Sequence, residues 1–326
     1  MQNQVNWSVK RNKTFFKRGV SVLKWGGITL SLFILIGFAC QQILTKLTAD
    51  DFPPIGERVD IGDYKLHVYA QGEANDHPTI ILESGLGTPS SYTDWKHIQS
   101  ELSRFTRVIS YDRAGYGWSD VATNERTAEH IADDLYSLLN QSGEKGPYIL
   151  VGHSFGGFTS QVFARKHVEE VVGLVLIDSS HVDQKGGYSA VESYGIRVLK
   201  EIGTGRVLEW LNMLPMYDYF INDDLSIHFF HQHFYNRSQI SELKWMMSKS
   251  IDQVRTAQAQ GFGEIPITVL SAEHEEIPEW SDLQQQTSTL SVNGKHIVVN
   301  GASHYIHLDQ PEVVLSSILE ILDYHH

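Results

Sequence analysis

Val151-Gly152-His153-Ser154-Phe155-Gly156-Gly157 follows the apolar run Tyr148-Ile149-Leu150 and precedes a helical pattern from Phe158 to His167. Strand, sharp turn and helix in that order put a serine at the apex. A serine held in a strained turn brings the backbone two residues to either side close to the strand and the helix, so Gly152 and Gly156 have to lack a Cβ. The hydroxyl is then exposed, and the amides beside it, at a helix N-terminus, face developing negative charge. Glycine-rich turns of five residues also arise by chance, so the reading depends on its surroundings.

Outward from that turn, strand and helix patterns alternate. Arg58 to Ile61 and Tyr64 to Tyr69 flank Gly62-Asp63 and read as an antiparallel hairpin. Thr79 to Leu82 and Arg107 to Tyr111 read as strands, separated by helical periodicity from Tyr92 to Leu102. Ala128 to Leu139 is a helix with Thr127 as its N-cap, and Val172 to Ile177 is a run apolar enough for a strand buried on both faces. Alternation of this kind predicts an α/β fold with a mostly parallel sheet between layers of helices. Residues 181–262 break the pattern. They are aromatic-rich and helical in period (Ile196 to Ile202, Val207 to Leu214, Ile240 to Ala259) and read as an inserted helical cap. Alternation then resumes with Ile267 to Leu270, Leu283 to Leu290, Lys295 to Val299 and Val313 to Leu322.

The 326 residues hold one large domain with an insertion, and charge divides them unevenly. Residues 1–24 carry six basic side chains and no acid, leaving 20 basic against 39 acidic in the remainder, a net −19. An acidic body argues against nucleic acid as a partner. Cys40 is the one cysteine, which excludes an intramolecular disulfide and a cysteine-based zinc site. From Trp25 to Thr45 there are 21 residues without a charge, enough to cross a hydrocarbon core of about 30 Å as a helix. The basic flank places 1–24 in the cytoplasm and the body outside the membrane. A retained signal anchor at 25–45 is the leading reading. A cleaved signal peptide and a lipid-modified Cys40 compete with it, the latter weakened by Gly37 where a lipoprotein signal carries leucine. Residues 46–56, with Asp50-Asp51 and Pro53-Pro54, form a linker to a domain at 57–326.

An acyl-transfer serine needs a base and a carboxylate to orient it. His304 lies in Gly301-Ala302-Ser303-His304-Tyr305-Ile306-His307, a loop after the last strand at the same sheet edge as Ser154. That position separates it from the other histidines; His307 caps or packs the loop.

With these motifs in place the chain resembles the α/β-hydrolase fold superfamily from about Glu57 to Tyr324. The matching segments are Glu83-Ser84-Gly85-Leu86-Gly87, Tyr111-Asp112-Arg113-Ala114-Gly115-Tyr116-Gly117-Trp118-Ser119-Asp120, Gly152 to Gly157, and the His304 loop through His307-Leu308-Asp309-Gln310-Pro311. The resemblance implies an eight-stranded sheet, Ser154 as nucleophile and His304 as general base. It also implies backbone oxyanion donors at Phe155 and Leu86. Many relatives have His-Gly where this chain has Ser84-Gly85, a change that a backbone donor tolerates. Asp112-Arg113 reads as an internal ion pair and tight turn, with Tyr116 and Trp118 bordering the pocket. Members usually carry the acid after the seventh strand, where this chain has Ser271-Ala272-Glu273-His274-Glu275-Glu276, so Glu275 is one candidate. The other is Asp178, at the end of Val175-Leu176-Ile177, where certain haloalkane dehalogenases take theirs. Its short, stiff side chain suits holding an imidazole and puts it ahead, although a structural aspartate bonding loop amides would look the same.

His228, His231 and His233 invite a metal reading, but no nearby carboxylate or cysteine completes a tetrahedral set, and cap packing accounts for them better. No cofactor or metal is expected. Two function classes follow: a membrane-anchored serine hydrolase acting on an ester or related acyl bond of a small, largely apolar substrate, and a ligand sensor of the same fold with little turnover. Dehalogenase or epoxide hydrolase chemistry is disfavoured, because those enzymes use an aspartate where this chain has Ser154.

Overall fold

The computed structural model describes residues 2–187, 189–214, 223–273, 277 and 279–324. α1 (Gln2–Leu47) opens the chain, followed by β1 (Glu57–Asp60), β2 (Lys65–Gln71), β3 (Thr79–Glu83), α2 (Ser91–Leu102), β4 (Val108–Asp112), α3 (Ala128–Ser142), β5 (Tyr148–His153), α4 (Gly156–Lys166) and β6 (Val171–Ile177). Helices α5 (Ala190–Glu201), α6 (Thr204–Trp210), α7 (Asp224–His233), α8 (Arg237–Trp245) and α9 (Ile251–Gln258) come before β7 (Ile267–Ala272). α10 (Trp280–Ser288), β8 (Gly294–Val299), α11 (Ile306–Asp309) and α12 (Pro311–Tyr324) complete it. Contacts divide the chain into two units, one of Met1–Ala49 with Val198–Leu214, the other of Asp50–Arg197 with Pro215–His326.

In the larger unit the strands form one eight-stranded sheet in the order β1-β2-β4-β3-β5-β6-β7-β8. The β1–β2 and β2–β4 pairs are antiparallel and the rest parallel, as the alternation of strand and helix requires. Period-2 alternation sorts the central strands between two cores. Ile149 and Val151 of β5, with Val175 and Ile177 of β6, pack on one face with Trp95 and Ile98 of α2 and Ile318 and Ile321 of α12. Leu150, Leu174 and Leu176 pack on the other with Leu135 of α3, Phe163 of α4 and Val254 of α9. Thr127 caps α3 as its position in the sequence predicts, and Gly143 ends that helix in the left-handed conformation.

The helix expected over Ile240 to Ala259 is interrupted. A single π-turn at Met246–Ser250 separates α8 from α9, with Met247 at φ −88°, ψ 19°. One inserted residue re-phases the helix faces. It lets α8 turn Glu242 and Ser238 inward while α9 turns Val254 and Ala257 inward.

The Asp112-Arg113 motif joins β4 to α8, and its ion pairs run outward rather than to each other. Asp112 accepts from the His67 ring at 2.7 Å and from the Ser91 amide at 2.7 Å. Although burial opposes its charge, His67 and these amides hold its carboxyl below the usual range. Arg113 is buried and bridges Glu83 at 3.1 Å to Glu242 of α8 at 3.0 Å. It also donates to the carbonyls of Ser84 at 2.5 Å and Gly85 at 2.9 Å. Tyr111 and Tyr116 give their hydroxyls to Glu83 and Glu242, at 2.5 and 2.7 Å. Tyr116, expected at the pocket border, is therefore committed to this buried cluster. Trp118 packs among His67, Tyr92 and Phe229. Arg113→Met leaves two carboxylates buried without their cation and should cost about 3–5 kcal/mol in equilibrium unfolding; an unchanged midpoint would contradict the role given to the cluster.

Candidate active site

Ser154 lies between β5 and α4 at φ 52°, a left-handed conformation that a non-glycine residue adopts only when its surroundings enforce it. They do. The Ser154 amide donates to the Ile177 carbonyl at 3.0 Å, and its carbonyl accepts from the Ser180 and Gly157 amides, each at 3.0 Å. The flanking glycines are required as the motif predicts: a Cβ on Gly156 would stand 2.4 Å from the Glu83 carbonyl oxygen, and one on Gly152 would stand 2.7 Å from that of Gly156.

Asp178, one residue past the end of β6, is also left-handed, at φ 40°. It is fully buried and its two oxygens have separate partners. Oδ1 accepts from the Ala272 amide at 2.9 Å and from the Trp280 indole at 2.7 Å. Oδ2 meets His304 Nδ1 at 2.6 Å. An ionised carboxylate only accepts, so Nδ1 carries the proton in this contact. The structure thus brings Asp178 and His304 together. Glu275, the rival acid, lies outside the described residues.

The His304 backbone is fixed as well as its ring. His153, buried directly before Ser154, donates from Nε2 to the His304 carbonyl at 2.9 Å. Its ring lies 4.7 Å from that of His304 and 4.4 Å from that of His307. Burial, reinforced by the neighbouring histidines, pushes the His153 pKa well below its ordinary 6.5, so it serves as a neutral donor. His307 in turn meets Asp94 at 3.1 Å and packs against Trp95 with ring centroids 4.6 Å apart, which is the packing role its place in the loop suggested.

The loop after β3 approaches from the other side. A Cβ on Gly85 would stand 3.1 Å from Ser154 Cβ and 2.8 Å from His153 Nδ1. Among the described residues no acceptor takes the amide of Phe155 or of Leu86. In a trans peptide the carbonyl and the following N–H point opposite ways, so tying the Gly85 carbonyl to Arg113 turns the Leu86 amide away from the guanidinium.

Asp94, His153 and His307 are the group among the described residues whose donor atoms, all within 4.8 Å of one another, resemble a ligand set. Two of the three already bond to each other, and His153 spends a ring nitrogen on the His304 carbonyl. They read as a polar floor under the histidine loop. The α7 histidines are in aromatic packing, His228 against Phe52 and His233 against Phe229.

Sequence reasoning missed His153, Trp280 and Asp94. His153 had a usable signal, since strand alternation puts it on the same face as Val151, toward the His304 loop. Trp280 had none, because only the chain reversal after β7 carries it to Asp178.

Residues 78–311 match a family model described as alpha/beta hydrolase fold. The uncharacterized protein YbdG of Bacillus subtilis (strain 168) is 28% identical over 186 residues, covering 56% of this chain and 55% of that protein. YqjL of the same organism, also uncharacterized, is 27% identical over 248 residues, covering 74% and 83%. The chain thus spans about half the length of YbdG and most of YqjL. A thermophilic esterase from Thermogutta terrifontis shares the fold at a TM-score of 0.58 and 24% identity, over 81% of this chain and 94% of that one.

The neutral state of His153 has a measurable consequence. The unfolded chain protonates this imidazole as pH falls through 6.5, whereas the folded chain does so only well below that. The unfolded state binds more protons in that window, so stability falls as pH falls. In urea unfolding, His153→Gln, which keeps an N–H donor, should lessen that acid loss by up to about 1.4 kcal/mol per pH unit. Parallel stability–pH curves for the two proteins would count against a buried neutral His153.

Proposed function

Because the chain belongs to the alpha/beta hydrolase fold family, we propose that it is a membrane-anchored serine hydrolase that cleaves an ester or related acyl bond of a small, largely apolar substrate. Ser154 is the nucleophile, His304 the general base and Asp178 the residue that orients it. The observation that carries this reading is the 2.6 Å contact between His304 Nδ1 and a buried Asp178 whose other oxygen is already occupied.

Ser154 Oγ gives its proton to His304 Nε2 as it attacks the substrate carbonyl. The imidazolium that forms is stabilised by Asp178, and the new oxyanion accepts from the Phe155 and Leu86 amides. His304 then returns the proton to the leaving group, and water, activated by the same imidazole, releases the acyl group. The strained turn at Ser154 keeps the hydroxyl presented throughout, with no reorganisation during the reaction. The helical segment 181–262 acts as a cap whose aromatic side chains favour an apolar acyl or alcohol group. α1 is the anchor, its N-terminus cytoplasmic and the hydrolase domain on the other side.

A fluorophosphonate probe should label the full chain and leave Ser154→Ala unlabelled; labelling that persists in the variant would place the reactive nucleophile elsewhere, labelling that never occurs would favour a fold retained for binding alone, and either result would overturn this reading. On a p-nitrophenyl ester, Asp178→Asn should lower kcat by roughly 10⁴-fold. Glu275→Gln should leave it nearly unchanged, and the reverse outcome would reassign the acid.

A further inference from the structure

Helix α1 and residues Val198–Leu214 make up the smaller unit, and they meet at a notch. A Cβ on Gly37 would come 2.4 Å from the Ile202 carbonyl oxygen, so the backbone of α1 lies directly against the turn between α5 and α6. Gly203 makes that turn in the left-handed conformation, at φ 81°. One helical turn beyond Gly37, Gln41 Oε1 accepts from Arg206 Nε at 2.8 Å. Gln42 Nε2 donates to Glu201 Oε2 at 2.8 Å. Gly37, Gln41 and Thr45 recur every four residues and share one helix face, and Gln41 also donates to Thr45 at 3.2 Å. Glutamines are costly in an apolar span unless their polar atoms are bonded, and the α5–α6 hairpin supplies partners for both.

Away from this contact, among the described residues, the hairpin exposes several large apolar side chains. Val207, Trp210 and Leu211 fall at i, i+3 and i+4 along α6 and are exposed, Trp210 by 82%. Val198 and Leu199 at the end of α5, and Met213 after α6, are exposed as well. Such a surface is unfavourable in water in proportion to its apolar area. Its depth indicates what covers it. Gly37 is eight residues before Thr45, the end of the uncharged run, or about 12 Å at the helical rise. Gln41 and Gln42, which bond Arg206 and Glu201, lie only about 6 and 5 Å from that end, so the hairpin is seated on α1 across the outer half of a layer about 30 Å thick. Trp210 follows Arg206 by about one helical turn, and an exposed tryptophan is the habit of elements that lie in the membrane interface.

We propose that Val198–Leu214 is a membrane-interfacial hairpin, seated on α1 through Gly37 and the Gln41–Arg206 and Gln42–Glu201 bonds, whose exposed apolar side chains enter the outer leaflet of a phospholipid bilayer. The proposal rests on α1 being a spanning helix, and the anchor and the hairpin are tested separately. Cys40 is the one native cysteine, so Cys40→Ala gives a background for single cysteines in the full chain. Trp210→Cys and Leu211→Cys, with the exposed Val121→Cys as control, are labelled with an environment-sensitive fluorophore and reconstituted in phosphatidylcholine vesicles. Turnover of a p-nitrophenyl ester confirms that each variant is folded.

Both hairpin labels should emit at shorter wavelength than the control and be quenched by doxyl-labelled phosphatidylcholine. The unlabelled thiols should react roughly tenfold more slowly with a membrane-impermeant maleimide. Adding Gly37→Val, which forces the Ile202 carbonyl off α1, should raise that rate. Aqueous emission and control-like rates in a chain that stays in the pellet after alkaline carbonate would overturn the hairpin and leave the anchor standing. A chain released by carbonate would overturn both. Thiols shielded from maleimide yet unquenched by lipid would mean that protein covers this face, and would also overturn the proposal.

Discussion

The Arg113 guanidinium is where three segments remote in sequence are made to agree. Its planar fork takes Glu83 at the end of β3, Glu242 in α8, and the Ser84 and Gly85 carbonyls of the loop that approaches Ser154. Lysine could not do this, since an ammonium lacks the fixed divergent donors. A single cation facing two carboxylates in a dry site is not a strong source of net stability, because desolvation opposes the attraction. Burial pushes Glu83 above its ordinary pKa range even though Arg113 pulls the other way. What the cluster provides is geometry. With both carbonyls tied down, the Leu86 peptide plane has one orientation left, and α8 is fastened to the same point.

Around Ser154 the same economy recurs: each group that has to be aimed is held from behind. Ser154 and Asp178 are both in left-handed backbone conformations at the ends of adjacent parallel strands. The amide of the first bonds to the last carbonyl of β6, and the amide of the second bonds to Leu270 of β7 at 2.6 Å. Strand pairing therefore extends into the strained residues and holds their conformations. His304 has no strand of its own and depends on Asp178 at its ring and His153 at its backbone.

Much of this was legible in the residues. The alternation of buried runs gave every strand to within a few positions, because parallel strands covered on both faces must be apolar throughout. The turn at Ser154 was legible because it demands glycines, and the His304 loop because it follows the last strand at the same sheet edge. Sequence alone put Asp178 only narrowly ahead of Glu275, since both follow the serine, and what sets Asp178 on the His304 ring is the Ala272 amide and the Trp280 indole, contacts no local pattern encodes. The Arg113 cluster was half legible. An Asp-Arg pair at a strand end promised internal bonding, but Glu242 lies 129 residues away and reads as one more helix carboxylate. The break in the long helix expected over Ile240 to Ala259 was invisible because Met246 to Ser250 are ordinary helix formers, and the π-turn answers to tertiary packing.

That π-turn has a further meaning. A helix of fixed pitch ties the direction of every side chain to its neighbours, so two partners can be faced only if their spacing suits the pitch. Inserting one residue between α8 and α9 changes the phase by about 100°. It lets the first half answer to a buried cation and the second to an apolar helix, Ala128 being held across the join by the Ser250 hydroxyl at 3.0 Å. The insertion acts as a phase coupling between two otherwise incompatible surfaces. Residues added or lost at this point would rotate one surface away from its partner, whereas the same change in the loops at either end would leave both facings intact.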